Sequence, residues 1–393
     1  MNDEGQLVAR IIRALSARTT PLPHAPEKPS IRTEILPRNS PHAFHLHSTM
    51  AGQHKVLASL PLPKQRTAHR PQGRSGASKS SILRLAVGDD AAILAPNGKL
   101  EWVLTCDAFL ENVHFLLKTH PPDSVGYKSL VRATSDVVAM GATPRFFLLT
   151  LGLSVKTTRK KWLNNFLRGM ARAAREFGIT VVGGDTTKSD RLFISITAIG
   201  EIQPGRALTR SGARAGDLIY VSGKLGRAQL GLEAALRGQG NDPSLRALMQ
   251  PHFYPKIRVD LGAWLAEQRL ASSMMDISDG LSTDLGRLCA ASHTGAEIWA
   301  DQMPVASVPE KILRKLGEPR LDPLRLALHG GEDYELLFTV PSQRVKKLRD
   351  APGFPLLSCI GRITDGRTLV LITNDGLKLR LEPRGWDPFR KDS

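Results

Sequence analysis

The sequence predicts an α/β protein of two domains, and three observations support this fold class. The chain of 393 residues is longer than a single hydrophobic core usually serves. From about residue 82 onward, strand-like and helix-like segments alternate. The stretch "IQPGRAL", with a proline and a glycine near residue 205, divides these segments into halves of similar size. We therefore expect domains over residues 82–205 and 206–393.

The chain begins with two segments of different character. Residues 1–17 contain "EGQLVARIIRAL", whose apolar residues recur at helical spacing, and we expect a helix that belongs to the first domain. Residues 18–81 are rich in Pro, Ser, Arg and His and lack periodicity, which predicts a disordered insert. Six of the eleven histidines lie there. Of the two interpretations of these histidines, a metal-binding tract and a solvated segment, we favour the solvated segment.

The first domain is predicted to contain five strands and two helices. Apolar runs with the periodicity of strands and helices support them. The strands are "LRLAVGDDAAIL", "LEWVLTCDAF", "FFLLTLGL", "ITVVGGDTT" and "RLFISITAIGEI", and the helices are "PDSVGYKSLVRATSDVVAMG" and "RKKWLNNFLRGMARAAREFG".

The second domain repeats the mixture of strands and helices. The predicted strands are "GDLIYVSG", the stretch "MMDIS", "AEIWAD", "YELLFTV" and "LSCIGRI". The predicted helices are "LGRAQLGLEAALRG", "YPKIRVDLGAWLAEQ", the segment after "SDG", "PLRLALHG" and "SQRVKKLRDA". A hairpin that turns at Asn374-Asp375-Gly376 closes the domain.

Composition excludes several classes of protein. No run approaches the roughly 18 apolar residues that a membrane span needs, so membrane insertion is not expected. The three cysteines, Cys106, Cys289 and Cys359, are far apart and form no CxxC pair. Neither a disulfide framework nor a zinc ribbon is indicated, and we expect a reducing cytoplasm.

The net charge of +17 raises the question of nucleic acid binding. Residues 18–84 carry 11 Lys and Arg against only Glu27 and Glu34, so about half of the excess lies in a sixth of the chain. The milder excess of the remainder suits a domain that handles phosphates. We therefore do not expect a nucleic acid partner.

The common phosphate-binding motifs are missing. The chain has no GxxxxGK[ST], no GxGxxG after a strand, and no nucleophile elbow for a Ser, His and Asp set. Acids beside glycine or small polar residues recur instead at the ends of apolar runs, at Asp89, Asp90, Asp107, Asp136, Asp185, Asp276 and Asp279. Each one alone is typical of a helix cap or a turn.

Together these acids predict bound Mg²⁺, which prefers carboxylates and substrate phosphates as ligands. A phosphoryl-transfer enzyme can hold ATP through such ions without a P-loop. In "MMDISDGL", the period of two places Asp276 and Ser278 on one face of a strand, and Asp279 falls at the turn before the next helix. A bound cation would neutralise these acids.

Seven motifs together resemble one known family. They are "VGDDAAIL", "LTCDAFLENVHF", "YKSLVRATSDVVAMGATP", "VVGGDTT", "RALTRSGARAGD", "DISDGLSTDLGRL" and "HGGEDYELLFTV". In this order they resemble the thiamine-monophosphate kinase family, from about Leu85 to Phe389. That family belongs to the ATP-binding superfamily of aminoimidazole ribonucleotide synthetase and selenophosphate synthetase. The resemblance implies the fold of this superfamily, with an N-terminal mixed-sheet domain and a C-terminal α/β sandwich.

The resemblance also implies an activity and a set of site residues. The activity is ATP-dependent phosphorylation of thiamine monophosphate to thiamine diphosphate, by direct γ-phosphoryl transfer. The implied Mg²⁺ ligands are Asp90, Thr105, Cys106, Asp107, Asp136, Asp185, Asp276 and Asp279, and Asp107, Asp136 and Asp279 are the implied catalytic acids. The implied contacts of ATP are Gly184, Asp185, Arg210 and Ser278. The implied contacts of thiamine monophosphate are His114, Glu332 and Trp386.

The chain departs from the family in two respects. Cys106 stands where the family usually has Ser or Thr, and a thiol is a poor Mg²⁺ ligand, although a contact through its backbone carbonyl would survive. The insert is about sixty residues longer than the usual link. Relatives form a homodimeric barrel with the first domain, so a homodimer is expected.

Two other functions stay open at this point. The chain could be another enzyme of the superfamily, similar to selenophosphate or aminoimidazole ribonucleotide synthetase. It could instead be a nucleotide-binding regulatory protein without turnover. The set of His114, Glu332 and Trp386 favours thiamine phosphate over the first, and the full acidic set favours catalysis over the second.

Overall fold

The structure is a computed structural model. It describes residues 14–15, 82–85, 89–96, 98–237, 243–308, 310–317, 321–349, 354 and 357–387. Of the predicted N-terminal helix, Ala14 and Leu15 are described; both are helical, and Leu15 is buried in the main core. The predicted insert over residues 18–81 lies outside the described residues.

Six strands form the first sheet. They are β1 (Leu83–Leu85), β2 (Ala92–Leu94), β3 (Glu101–Leu110), β4 (Thr143–Leu153), β5 (Thr180–Lys188) and β6 (Phe193–Ile202). Their order is β1-β2-β3-β6-β4-β5, and neighbours are antiparallel except β4 and β5. The strand predicted over residues 83–94 is thus two short strands, because the chain reverses at the acids between them.

Two long helices cover one face of the first sheet. They are α1 (Pro122–Ala139) and α2 (Lys160–Phe177), as the sequence predicts. Most of α1 is buried, including Lys128, Ser135 and the apolar residues that face β3 and β6. Among the described residues, no helix is both long enough and apolar enough to cross a membrane.

Seven strands form the second sheet. They are β7 (Leu218–Ser222), β8 (Ser273–Ile277), β9 (Gly295–Trp299), β10 (Glu335–Val340), β11 (Leu357–Thr364), β12 (Leu369–Ile372) and β13 (Lys378–Arg380). Their order is β13-β12-β9-β11-β7-β10-β8, and only β9 and β12 pair in parallel. The predicted hairpin at Asn374-Asp375-Gly376 joins β12 to β13. Strand β8 ends the sheet nearest to α1, so Asp276 faces the first half of the chain.

Within the described part of the chain, seven helices accompany the second sheet. They are α3 (Arg227–Leu236), α4 (Pro243–Phe253), α5 (Val259–Glu267), α6 (Leu281–Ser292), α7 (Glu310–Leu316), α8 (Pro323–His329) and α9 (Val345–Arg349). Sequence analysis missed α4 and α7. The helix predicted from Tyr254 onward corresponds to α5, which begins later, at Val259. The segment between Tyr254 and Arg258 forms an irregular turn instead.

The two sheets share one hydrophobic core. Its buried residues include Val137 on α1, Phe147 on β4 and Phe338 on β10. The described residues accordingly form one compact unit. This shared core fixes side chains of the first half against those of the second.

Two glycines allow α1 and α2 to pack closely. A Cβ atom at Gly126 would lie 2.0 Å from the carbonyl oxygen of Phe166, and one at Gly169 would lie 1.8 Å from that of Asp123. Both contacts are far shorter than van der Waals distance, so an alanine at either position would force the helices apart.

We predict that Gly169→Ala lowers the free energy of unfolding by about 1–3 kcal/mol or more, the usual cost of overpacking. The matched control is Gly286→Ala in α6, where the nearest atom to a new Cβ is 3.6 Å away. It should stabilise the helix by up to about 1 kcal/mol. Urea unfolding of both variants measures the difference, and equal stabilities would contradict the account of the helix contact.

Candidate active site

Three aspartates from separate segments, two of them buried and Asp136 partly buried, meet where the two halves join. Asp90 precedes β2, Asp136 lies on α1 and Asp276 lies on β8. One carboxylate oxygen of each lies within 4.8 Å of the others. Asp276 is 1% exposed and Asp90 is 7% exposed. We call Asp90, Asp136 and Asp276 the acidic triad.

Burial makes the charged state of the acidic triad unfavourable. It raises the pKa of all three carboxyls, and that of Asp276 reaches about 7. The mutual repulsion of the acids adds to the rise, since Asp276 raises the pKa of Asp136 and Asp90 raises that of Asp276. The triad therefore requires protons, hydrogen-bond donors or a cation.

Protein donors meet part of this requirement. The Ser135 hydroxyl donates to Asp276 Oδ2 at 2.6 Å, and the Thr105 hydroxyl donates to Asp136 Oδ2 at 2.8 Å. Arg210 donates to both oxygens of Asp90, from Nη2 at 2.8 Å and from Nε at 3.2 Å.

The donor set of the acidic triad suits a hard divalent cation. All of its potential ligand atoms are oxygens, which Mg²⁺ prefers, and three carboxylates within 4.8 Å carry more negative charge than Arg210 neutralises. The raised pKa values have the same physical origin as an affinity for a cation, because either a proton or a metal ion relieves the repulsion.

Two other predicted acids pair with arginines. Asp107 Oδ2 lies 3.0 Å from Arg132 Nε, and Asp279 Oδ2 lies 2.5 Å from Arg287 Nη1. Neither belongs to the acidic triad. Their roles in metal binding and catalysis stay predictions.

Asp185 and Cys106 lie apart from the triad. Asp185 is exposed on the edge strand β5, where its carboxylate accepts from the backbone N–H of Thr186 at 2.8 Å. The Cys106 thiol is exposed and contacts the Ser195 hydroxyl at 3.5 Å, on the face of β3 opposite to Thr105. The thiol therefore does not point towards the triad, and a contact through the backbone carbonyl stays a prediction.

The structure gives Gly184 and Ser278 local explanations. A Cβ at Gly184 would lie 1.9 Å from the carbonyl oxygen of Leu149, so only glycine fits this pairing of β4 and β5. Strand β8 ends at Ile277, so the alternation that predicted a shared face for Asp276 and Ser278 does not reach Ser278. Contacts of Gly184 and Ser278 with ATP stay predictions.

A cavity of about 280 Å³ is lined by all three residues that were predicted to contact thiamine monophosphate. His114 follows β3, Glu332 follows α8 and Trp386 lies near the end of the described chain, yet all three line this cavity. Ser278 and Asp279 line it as well, directly after the strand that carries Asp276. We call this space the acceptor cavity.

The walls of the acceptor cavity are held in place by local contacts. The rings of His114 and Trp386 lie 5.3 Å apart between centroids, and His114 Nδ1 accepts from the backbone N–H of Leu110 at 3.0 Å. Burial and the charge of Arg132 lower the pKa of His114 to about 4, so its ring is neutral. The backbone N–H of Trp386 donates to the backbone carbonyl of Asp279 at 2.9 Å, which fixes the C-terminal tail beside α6.

Sequence analysis missed two cations at this site. Lys128 contacts Glu332 at 2.6 Å, and Arg132 bridges Asp107 to Glu332 at 3.0 and 3.7 Å. A signal was present, because Lys128, Arg132 and Asp136 repeat at intervals of four and are the only charged residues after the first turn of this helix. Such a row of charges on a buried helix face indicates a functional surface.

The chain matches two models of AIR synthase related proteins. The model of the N-terminal domain matches residues 88–202, and that of the C-terminal domain matches residues 214–374. With the two sheets described above, these matches confirm the predicted two-domain α/β fold. The exact domain boundaries at 205 and 206, and those of the insert, stay predictions.

Curated relatives and solved structures agree. Thiamine-monophosphate kinase of Aquifex aeolicus (strain VF5) is 35% identical, over 79% of this chain and 95% of the relative, and that of Escherichia coli (strain K12) is 36% identical, over 78% and 92%. The solved structure of AaThiL complexed with AMPPCP and TMP superposes with a TM-score of 0.67 at 36% identity, covering 76% of this chain and 91% of that one. Hydrogenase maturation protein HypE in complex with ATP, at 24% identity and a TM-score of 0.57, shares the fold over 75% of this chain and 88% of its own. The chain belongs to the thiamine-monophosphate kinase family, as its seven motifs predict.

Proposed function

We propose that this chain transfers the γ-phosphoryl group of ATP to thiamine monophosphate, giving thiamine diphosphate and ADP. The observation that carries the proposal is the acceptor cavity, where His114, Glu332 and Trp386 meet beside Asp279, three residues along the chain from Asp276 of the acidic triad. Relatives of this name and the complex of AaThiL with AMPPCP and TMP support the same donor and acceptor.

The reaction needs positioning and charge neutralisation more than acid-base catalysis. The attacking atom is an oxygen of a phosphate monoester, which is already largely deprotonated at neutral pH because its second pKa is about 6. In direct transfer, a bond forms from this oxygen to the terminal phosphorus of ATP while the bond from that phosphorus to ADP breaks. No group of the protein has to remove a proton, so the protein holds two anionic phosphates in line.

Each part of the site fits one of these tasks. The oxygens of the acidic triad would hold Mg²⁺, and the bound ion would neutralise charge on the phosphates. Arg210 is placed at Asp90 and offers further donors for phosphate oxygens. Trp386, 43% exposed, presents a ring face on which a cationic thiazolium can stack.

The two alternative functions receive less support. The two curated relatives described above are named for thiamine monophosphate rather than for selenium or aminoimidazole substrates. A protein without turnover would not need to keep three repelling carboxylates buried together. We also propose a cytoplasmic location, because the three thiols, Cys106, Cys289 and Cys359, are free.

The direct test is to mix the protein with ATP, Mg²⁺ and thiamine monophosphate and to measure thiamine diphosphate. We expect conversion that stops with a chelator and resumes with added Mg²⁺. We expect Asp136→Asn to lower turnover by at least about a hundredfold while the protein stays folded. Failure of the wild-type protein to form thiamine diphosphate would contradict the proposal.

The acidic triad should give stability a characteristic dependence on pH without Mg²⁺. A carboxyl whose pKa is raised on folding destabilises the protein once the pH passes its unfolded value. For Asp276 the unfolded value is 3.8 and the folded value is about 7, so stability should fall as the pH rises between them.

We predict that Asp276→Asn reduces this loss and also abolishes the rise in melting temperature that Mg²⁺ gives the wild type at about pH 8. Asp301→Asn, at an exposed acid, serves as the control and should behave as wild type. Thermal denaturation at about pH 5 and pH 8, with and without Mg²⁺, measures both effects. If Mg²⁺ raised the melting temperature of Asp276→Asn and of the wild type equally, the acidic triad would not be the Mg²⁺ site.

Substitution of Trp386 should weaken the binding of thiamine monophosphate rather than that of ATP. Stacking on a cationic ring contributes about 0.5–2 kcal/mol, so Trp386→Ala should raise the KM for thiamine monophosphate by a few fold up to roughly thirtyfold. The KM for ATP should hardly change. Trp162→Ala, at a ring that stacks on Phe166 in α2, controls for general loss of an aromatic. Equal weakening of both substrates would show that Trp386 only packs the tail.

We propose a homodimer formed by the uncovered face of the first sheet. This face carries Trp102, Phe146, Leu148 and Val182, which are 40–54% exposed. Large apolar side chains grouped on one sheet face usually mark an interface. Relatives of the family are expected to pair through the same domain.

We predict that Phe146→Glu yields monomers, because a buried unpaired carboxylate would oppose association. Val155→Glu is the control, since Val155 is 75% exposed but lies beyond β4. Light scattering after size-exclusion chromatography gives the masses. A wild-type monomer, or a Phe146→Glu dimer, would refute this interface.

A further inference from the structure

An ion pair between a fully buried lysine and a partly buried glutamate links α1 to the wall of the acceptor cavity. The Lys128 side chain is 0% exposed, and its Nζ lies 2.6 Å from Glu332 Oε2. Burying an ammonium group is unfavourable unless it is paired and hydrogen-bonded. The charge of Lys128 also acts on Glu332: burial alone would raise the pKa of this carboxyl, but Lys128 overcomes the effect and the pKa falls to about 2. Glu332 is therefore an anion at neutral pH.

Two buried imidazoles that also line the acceptor cavity continue this pair. His252 Nδ1 lies 3.4 Å from Lys128 Nζ, and His252 Nε2 lies 3.1 Å from His120 Nε2. Burial lowers the pKa of His120 to about 4 and that of His252 well below its usual range, so both rings are neutral. We call Lys128, His252 and His120 the supporting row.

The hydrogen bonds along the supporting row depend on the tautomer of His252. Its Nδ1 lies 3.4 Å from Lys128 Nζ, which can only donate, and also 3.4 Å from Glu332 Oε2, which can only accept. In the tautomer that gives the buried ammonium group a second acceptor, His252 Nδ1 accepts from Lys128. The proton of His252 is then on Nε2 and is donated to His120 Nε2. The proton of His120 is consequently on Nδ1, which lies 3.3 Å from the carbonyl oxygen of Leu116 and 3.0 Å from the Thr119 hydroxyl.

Glu332 itself is held in an unusual backbone conformation. Its φ is +67°, which residues other than glycine rarely adopt, and its N–H donates to the carbonyl of Ser278 at 2.7 Å. Its second oxygen, Oε1, lies 3.7 Å from Arg132 Nη1, beyond a normal hydrogen bond. The carboxylate thus has one oxygen tied to Lys128 and one with capacity to accept a donor inside the cavity.

We propose that Lys128 is a positioning residue: with His252 and His120 beside it, it holds Glu332 so that Oε1, the oxygen nearer to Arg132, accepts an N–H group from the ring of thiamine monophosphate. The inference rests on the proposed function, in which the acceptor is thiamine monophosphate with an amino group on its pyrimidine ring. It assigns part of the selectivity for that amino group to Lys128, which is not among the residues that line the acceptor cavity. In an analogue whose amino group is replaced by a carbonyl oxygen, this oxygen would face the Glu332 carboxylate. Both groups are hydrogen-bond acceptors, so they could not pair.

The kinetic test compares thiamine monophosphate with this carbonyl analogue. We expect the wild type to favour the amino compound by at least about tenfold in kcat/KM. The carbonyl analogue would leave the Glu332 oxygen without a hydrogen-bond donor, which disfavours its binding. Lys128→Met should raise the KM for thiamine monophosphate by about tenfold and reduce the preference to within about threefold. The KM for ATP should stay within about twofold. Lys378→Met, which removes a remote lysine paired with Glu297, should leave all three values unchanged.

Substitutions at His252 separate positioning from packing. His252→Gln keeps an amide oxygen that can accept from Lys128, so the preference for the amino compound should be retained. His252→Leu fills the same space without an acceptor, so the preference should fall as in Lys128→Met. If both variants keep the preference, or both lose it together with affinity for ATP, the proposal is wrong. This pair decides the question even if Lys128→Met does not fold.

The protonation of the supporting row is measurable without turnover. In the ¹⁵N-labelled wild-type protein, NMR should show neutral His252 with its proton on Nε2 and neutral His120 with its proton on Nδ1. A proton on Nδ1 of His252 would overturn the proposal, because the ring could not then accept from Lys128. If the wild type forms no thiamine diphosphate, the proposed function fails, and this measurement still tests the row itself.

Discussion

The burial of three like charges at the joint between two halves of the chain is the constraint on which the site depends. The three acids lie on a loop, a helix and a strand, at Asp90, Asp136 and Asp276. Packing of the shared core holds their carboxylates close to one another. Their repulsion opposes folding and is only partly relieved by Ser135, Thr105 and Arg210. The same repulsion favours a divalent cation, so the feature that costs stability is the one that prepares the site for nucleotide phosphates.

Helix α1 connects this constraint to the choice of acceptor. Its buried face carries Asp136 at the acidic triad, then Arg132 between Asp107 and Glu332, then Lys128 at Glu332. Because a helix advances one turn between successive members, donor and acceptor regions are set at a fixed separation by one rigid element. Direct transfer between two phosphates requires such fixed geometry, since the reacting atoms must meet in line. The close packing of α1 on α2 through Gly126 and Gly169 supports this alignment.

Local patterns in the sequence predict most of the fold, and the failures have physical causes. Alternation and helical spacing place the central strands and long helices, but a chain reversal near Asp89 and Asp90 leaves no signal in alternation, so β1 and β2 are predicted as one strand. Helix α4 was missed because proline lies at its start and again at Pro251, a residue typical of breaks. Acid motifs predict a metal site, but which acids meet depends on tertiary packing: Asp107 and Asp279 pair with arginines instead. The meeting of His114, Glu332 and Trp386 follows from the family resemblance alone, since no local pattern joins segments so far apart.

The most direct measurement of the central claim is the position of a divalent cation in a crystal of the protein grown with Mn²⁺ and a non-hydrolysable ATP analogue. Anomalous scattering locates Mn²⁺ without assumptions about the protein. We predict a peak within about 2.5 Å of carboxylate oxygens of Asp90, Asp136 and Asp276. A peak confined to exposed acids such as Asp185, with the acidic triad free of metal, would contradict the account.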